Sequence, residues 1–376
     1  MNPLHRVRQG TPFPFDGPVP AELLIDREAE LDELARRAAD RVSVRLVAPR
    51  RFGKTSLVGA HAARLEQVGW RTVLVDLSRV ADVTDVGRRV AAGYAHLDGP
   101  WVRAHLSAVL SRLGVSLSAT GPAVSLGPRP TQPQAEAAGS ALVPLLDLPR
   151  ALWERDRTPT LVVFDEFQDL LVARKDLDGL VRSRIQHHGD AAAYVFAGSE
   201  PSMMREIFDR RERPLFGQAM GLELGPLPEE AVIADLATRF AGEQLNPGAA
   251  LGALVAFADG HPQRTMWLAY LLAEELEGGA EPTPATGSDV IDRAVRLTEP
   301  AHQAVWQSCG ATERVVLAGV ADGIAPTSHA LAAEHNMSRT SLRAAADRLV
   351  DQGHLFRRPR ASRLVDPLFA EWLRRR

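Results

Sequence analysis

Gly53, Lys54 and Thr55 stand in the stretch RLVAPRRFGKTSLV, between an apolar run and the start of a helical pattern. A loop in that position aims backbone N–H groups and the positive end of the following helix at phosphate. Lys54 then reaches terminal phosphate oxygens, and the Thr55 hydroxyl is suited to a Mg²⁺ ion. Pro49, Arg50, Arg51, Phe52 and Ser56 complete the candidate cradle. Ala48 occupies the place where such loops usually have their first glycine. That glycine serves mainly the backbone turn, so alanine is expected to be tolerated if its φ stays negative. The competing reading is a strand and a helix joined by a loop that happens to contain GKT.

TLVVFDEFQDL supplies the second chemical signal. Its apolar run ends in Asp165 and Glu166, the first suited to a magnesium shell and the second to polarising a water for in-line attack on a γ-phosphate. An acidic pair alone is more often a solvated turn. Following GKT in order, with each motif on a strand end, it points to ATP and Mg²⁺ and makes Lys54 and Glu166 the candidate catalytic pair. Glu166 also argues against a kinase or a GTPase, where the base usually comes from elsewhere. Ser199 ends another apolar run, YVFAGSE, and has two open readings: a polar sensor between Asp165–Glu166 and the γ-phosphate, or the cap of a helix starting near Pro201. Downstream, Arg205, Arg210, Arg211 and Arg213 are either solvated or the source of an arginine that reaches a neighbour's γ-phosphate.

Composition restricts the setting. The 376 residues are 45% hydrophobic and 24% charged, which suits two or three packed domains. One cysteine, Cys309, permits no internal disulfide, and the first residues lack the apolar run of a signal peptide, so a reducing cytoplasm is expected. No window reaches the uninterrupted apolar length of a membrane helix. A net charge of −3 argues against nucleic-acid binding by overall charge. Of 44 basic residues only Lys54 and Lys175 are lysine. A coding bias accounts for the arginines; a compact ammonium at position 54 suits a phosphate as a planar guanidinium would not.

The elements that must position these residues alternate. Residues 1–24 read as an extended N-terminal arm, and a helix capped by Asp26 follows. Five strands are expected, near 42–48, 71–78, 160–170, 191–200 and 221–227, separated by helices, hence a parallel sheet covered on both faces. Residues 114–140 form an insertion that is either mobile or a hairpin pairing Val115 and Leu117 with Val124 and Leu126. The core spans 25–228, three lid helices fill 229–289, and GGAEPTPATGS reads either as the clearest linker or as a join between helices, with a last module over 290–376.

That module has a helix-turn-helix layout. One helix starts near Ser328, Ser338 caps a second that Gly353 stops, and LFRRPRASRLV folds back as a two-stranded wing. Arg339 and Arg343 are expected to face outward, with Arg357, Arg358 and Arg360 on the wing. From Thr327 onward there are ten arginines and five acids. Either the second helix enters a DNA major groove, or the module packs on the core or a protein partner; Asp347 and Asp351 on that helix would repel phosphate.

In order, LIDREAELDEL, APRRFGKTSLV, VVFDEFQDL, FAGSEPSMMREIF, RPLFGQAMGLELGPL, GHP and LVDPLFAEWLRRR span nearly the whole chain. The set resembles the STAND-type P-loop ATPases of the AAA+ superfamily, in particular the archaeal-type ATPases that also occur in bacteria. The resemblance implies an α/β core of ASCE/AAA+ type with a helical lid and a C-terminal winged helix-turn-helix. It implies a nucleotide-controlled switch binding ATP or ADP with Mg²⁺, an unidentified protein partner, and scope for oligomerisation. The alternative is an ATP-liganded DNA-binding regulator whose hydrolysis is incidental. Ile25, Arg27 and Pro262 would then lie near the adenine, and His261 or Arg264 would report the bound nucleotide. Two positions depart from the pattern: Ala48, and Gln218 in LFGQ, where similar proteins commonly have arginine. An uncharged amide cannot neutralise a developing phosphate charge, so slow turnover or another arginine is expected.

Overall fold

Strands that are apolar on both faces need helices on both sides of a sheet, and two strands here are buried almost from end to end. The computed structural model of the chain describes residues 11–97, 99–112, 115–118, 121–124, 132–358 and 361–376. It divides into two units: Arg27–Ala48 with Lys54–Leu224, and the described residues up to Asp26 with Pro49–Gly53 and Gly225–Arg376.

In the first unit the strands are β1 (Val44–Val47), β2 (Arg71–Asp76), β3 (Val115–Ser118), β4 (Gly121–Val124), β5 (Thr160–Asp165), β6 (Ala192–Gly198) and β7 (Met220–Glu223). The helices are α1 (Glu28–Ala39), α2 (Lys54–Gln67), α3 (Val83–Tyr94), α4 (Pro100–Arg112), α5 (Gln132–Leu146), α6 (Leu148–Asp156), α7 (Leu170–Ala173), α8 (Leu177–Ile185) and α9 (Pro201–Asp209). Five strands form one parallel sheet in the order β2-β5-β6-β1-β7. After β1 the chain runs to the far edge, fills inward through β5 and β6, and ends at β7 on the other side of β1. The order reverses at β1, and in open α/β sheets that switch point, beyond the carboxyl ends of the strands, is where ligands bind. Register brings those ends level: Val47 pairs with Gly198, and Asp76 with Asp165.

Several local expectations are corrected. Asp26 sits at φ 46° and the N-cap of α1 is Arg27, one residue later. Within 114–140 the structure takes the hairpin, with Val115 opposite Val124, and then starts α5 at Gln132, where glutamine, alanine and glutamate favour helix without an apolar stripe to signal it. Leu126 and Arg360 lie outside the described residues.

The second unit carries α10 (Glu229–Gly242), α11 (Gly248–Ala258), α12 (Pro262–Glu277), α13 (Pro284–Ser308), α14 (Ala311–Ala321), α15 (His329–Glu334), α16 (Arg339–Asp351), β8 (Leu355–Arg358), β9 (Ala361–Leu364) and α17 (Pro367–Arg374). The expected linker is half helix. Thr283 accepts a hydrogen bond from the Thr286 N–H at 3.3 Å and Pro284 takes the first helical position, so a proline-rich run begins α13 instead of breaking it. Consequently 289/290 falls inside α13, which packs on α11, α12 and α17. Ser328 and Ser338 cap α15 and α16, accepting from Leu331 N–H at 3.2 Å and Ser341 N–H at 3.0 Å. Gly353, at φ 75°, ends α16 before the antiparallel β8–β9 hairpin. The arm is anchored: Phe13 is fully buried with its ring 4.7 Å from Phe240, and Arg239 donates to the Pro12 carbonyl at 2.8 Å.

Two buried histidines make stability pH-dependent. Burial, then the nearby Arg64 charge, pushes His61 down to about 4, and neither of its ring nitrogens has a hydrogen-bond partner. Burial likewise holds His261 at about 4. An unfolded histidine takes its proton near about 6.5, so between there and about 4 the unfolded state binds more protons and stability falls as pH drops. Each group contributes up to ~1.4 kcal/mol per pH unit. Chemical denaturation of His61→Leu between pH 7 and 5 is expected to show a slope shallower by about one proton; a slope equal to wild type would contradict this.

Candidate active site

The loop after β1 turns on two residues. Arg51 and Gly53 have φ of 68° and 83°, and a Cβ on Gly53 would meet nothing within 4 Å, so glycine answers there to backbone conformation and not to space. Ala48 is fully buried, continues the ladder by donating its N–H to the Gly198 carbonyl at 3.3 Å, and is absent from the positive-φ residues. Alanine therefore fits that position without strain. Phe52 is buried, its ring 5.0 Å from His261 and 6.2 Å from Phe356; its side chain serves packing, leaving only its backbone for a ligand.

Lys54 opens α2 with its side chain only 7% exposed and its ammonium between two carboxylates, 2.7 Å from Asp165 Oδ1 and 2.6 Å from Glu166 Oε1. Thr55 is exposed and donates its hydroxyl to Asp165 Oδ2 at 2.9 Å. A hydroxyl and a carboxylate are hard oxygen ligands, the set that suits Mg²⁺, which takes one or two protein carboxylates and leaves other positions to water and phosphate. Among the described residues no cluster of three or more His, Cys, Asp or Glu forms a metal cage.

Glu166 is held in an uncommon way. Its φ is 52°, left-handed for a residue with a Cβ. The next residue, Phe167, is fully buried against Phe196 and Phe164, with ring centroids 4.7 and 5.8 Å away, which pins the turn. Glu166 Oε2 accepts from Ser199 Oγ at 2.7 Å, Ser199 N–H at 3.2 Å and Gln168 Nε2 at 2.7 Å. Burial works to raise the Glu166 carboxyl, but the Lys54 charge and hydrogen bonds from Gln168, Lys54 and Ser199 outweigh it and hold the group below the ordinary glutamate range. Of the two readings for Ser199, its hydroxyl goes to Glu166, while Glu200 takes the N-cap of α9.

Other candidates have surroundings of their own. Arg213 pairs at 2.9 Å with Asp178, whose side chain is 1% exposed, and Arg205, Arg210 and Arg211 are exposed. Gln218 donates to the Phe216 carbonyl at 3.3 Å. Arg27 pairs with Glu30 at 2.7 Å, whereas Ile25 lies in the apolar core of the second unit. Pro262 opens α12, where the His261 ring accepts from the Arg264 N–H at 3.3 Å. Arg264 forks onto Asp366, with Nε to Oδ1 at 3.0 Å, and His302 stands 3.6 Å from the same carboxylate. These bonds engage His261 and Arg264 inside the second unit. Sequence reasoning missed Gln168; the buried phenylalanine before it, in a turn following a buried strand, was the available signal.

No family model and no curated protein matches the sequence. Solved structures do. The Walker-type ATPase of Pyrococcus abyssi aligns with a TM-score of 0.66 over 97% of this chain and 100% of that one, at 19% identity. The Aeropyrum pernix ORC2 protein, in its ADPNP–ADP complexes, aligns at 0.58 over 97% and 96%, at 15% identity. The chain has the P-loop NTPase fold. At such identities the likeness is one of fold, and in this fold the Lys54 cluster lies beyond the carboxyl ends of the strands.

The cluster has a stability signature. A carboxylate whose folded pKa is depressed stabilises the protein above its unfolded value of about 4.3, and that contribution is lost as pH falls. In Lys54→Met, stability at pH 7 is expected to fall by about 1–3 kcal/mol, below the ~3–5 of a fully buried pair because Glu166 is 23% exposed. Urea denaturation should show the full deficit down to about pH 4.3 and a shrinking one as pH falls below it; a deficit that stays constant below about pH 4.3 would contradict the assignment.

Proposed function

We propose that the chain is a Mg²⁺-dependent ATPase of the AAA+/STAND kind, in which α10–α12 form the lid and α14–α17 with the β8–β9 hairpin form a winged helix whose arrangement follows nucleotide state. The observation that carries this reading is the single ammonium of Lys54 held between Asp165 and Glu166, with Thr55 on the same Asp165. A buried cation already surrounded by anions is prepared to exchange one of them for phosphate oxygens.

In this reading the backbone of 49–53 and Ser56 hold the phosphates, and Lys54 neutralises the β and γ oxygens. Thr55 and Asp165 hold the magnesium ion, which supplies charge neutralisation and orientation of the triphosphate. Glu166 orients a water and takes its proton, and Ser199 holds Glu166 in place. Ile25, Arg27 and Pro262 remain proposed neighbours of the adenine. Arg213 is tied to Asp178 and position 218 carries an amide, so intrinsic turnover is proposed to be slow, with an exposed arginine among 205, 210 and 211, or one from a partner, completing the charge balance.

The DNA-binding alternative has narrower support. Arg339 and Arg343 are exposed on α16. Against it, five of the ten arginines from Thr327 onward are paired with acids: Arg348 with Glu313, Arg357 with Asp347, Arg363 with Asp259, Arg374 with Glu371, and Arg375 with Asp292 and Glu371. Paired guanidiniums favour packing or a protein partner. No helix among the described residues is long and apolar enough to cross a membrane.

Steady-state hydrolysis tests the chemistry. Glu166→Gln should keep ATP binding and lose about 10²–10⁴-fold in kcat; equal rates would remove Glu166 as the base. For the module, a gel shift with duplex DNA at low salt is expected to show no specific complex, and a complex whose affinity falls steeply with salt would support the DNA reading instead.

A further inference from the structure

The two oxygens of Glu166 are unequally occupied. Oε2 receives three donors, Gln168 Nε2 and Ser199 Oγ at 2.7 Å and Ser199 N–H at 3.2 Å, whereas Oε1 receives Lys54 at 2.6 Å. A carboxylate oxygen has about two lone-pair sites, so Oε2 is saturated and Oε1 keeps room for a further proton donor.

Gln168 reaches that position at a cost. Its side chain is 1% exposed, and its carbonyl oxygen has no hydrogen-bond partner. Leaving a buried acceptor unmet is unfavourable by about 1–3 kcal/mol. The same oxygen lies 2.7 Å from where a Cβ on Gly198 would be, and Met204 side-chain atoms lie 2.6 Å from that point, so glycine at the end of β6 leaves room for both side chains. An apolar side chain would fill the space without an orphaned carbonyl. What the amide adds is the N–H aimed at Glu166, next to a residue whose backbone is itself strained at φ 52°.

We propose that Gln168 is a positioning residue for Glu166, anchoring Oε2 so that Oε1 is the oxygen that accepts the proton of the attacking water. The inference rests on the ATPase reading above. In that step a water O–H bond breaks and its proton moves to Oε1. The water oxygen bonds to the γ-phosphorus while the bond to the bridging oxygen breaks, releasing ADP and inorganic phosphate. Lys54, which meets Oε1 in this structure, leaves that oxygen when it pairs with phosphate.

The test uses the full chain with Mg²⁺ and ATP. Gln168→Met keeps length and removes the donor; Gln168→Glu keeps shape and replaces the donor with a carboxylate. Either folded variant should lose about tenfold in kcat with the KM for ATP within about twofold, consistent with a positioned base. The acidic limb of the kcat–pH profile should move to higher pH, because one donor that favours the ionised form is gone. In a Glu166→Gln background, adding Gln168→Met should change the residual rate by less than about twofold, since a residue that acts through Glu166 has nothing left to position. Wild-type kcat and acidic limb in Gln168→Met, beside a strong loss in Glu166→Gln, would overturn this inference and leave the ATPase reading intact. Wild-type turnover in Glu166→Gln would instead remove the reading it rests on. Failure of both Gln168 variants to fold would make Gln168 a core residue and also overturn it.

Discussion

A lysine ammonium with almost no access to water needs compensating charge, and the site is organised around that requirement. Lys54 has two carboxylates within 2.7 Å, supplied by adjacent residues at one strand end. Both can reach it only because Asp165 ends β5 in register with β2 while Glu166 turns out of the strand at a left-handed φ. Phe167, packed among Phe164, Phe196 and Phe208, holds that turn against its own strain. A core of aromatic rings therefore fixes the angle at which two acids meet one base.

The same arrangement explains how a site can be stable and still ready to bind. Lys54, Asp165 and Glu166 satisfy one another as they stand, with Gln168, Ser199 and Thr55 filling further acceptor positions. Phosphate offers the ammonium an equivalent partner, so binding exchanges one anion for another instead of exposing a buried charge. The second unit keeps its own polar centre, where Asp366 receives the Arg264 fork near His302. Burial works to raise Asp366, but the nearby His302 imidazole, the hydrogen bonds from Arg264 and the adjoining charges hold it far below the usual carboxylate range. Each unit thus has a half-buried carboxylate paired with a basic side chain.

Much of this was legible from residue order. Strands buried on both faces announce themselves as unbroken apolar runs, and GKT and DE at the ends of two of the strands place the cluster. Serine caps at 328 and 338 and glycine at 353 bound their helices as read. The rest depends on contacts between distant residues or on ambiguous local signals. Ser199 precedes a proline and fits a helix start equally well; only the fold brings Glu166 to its hydroxyl. PTPATGS has linker composition, yet Thr283 and Pro284 are also a helix start, and the apolar partners of α13 decide between them. Gln168 carries no local signal of its own, and only the packing of Phe167 turns it inward. Arg264 and Asp366 lie 102 positions apart, beyond any local pattern.

The most direct test of the account is calorimetric titration of the full chain with a non-hydrolysable ATP analogue in Mg²⁺, comparing wild type with Lys54→Ala. The account predicts one analogue bound per chain and at least about a hundredfold loss of affinity in the variant, as expected when a buried charge partner of the phosphates is removed. Absence of binding by wild type, or equal affinity in the two proteins, would contradict the claim that the Lys54 cluster is a nucleotide site.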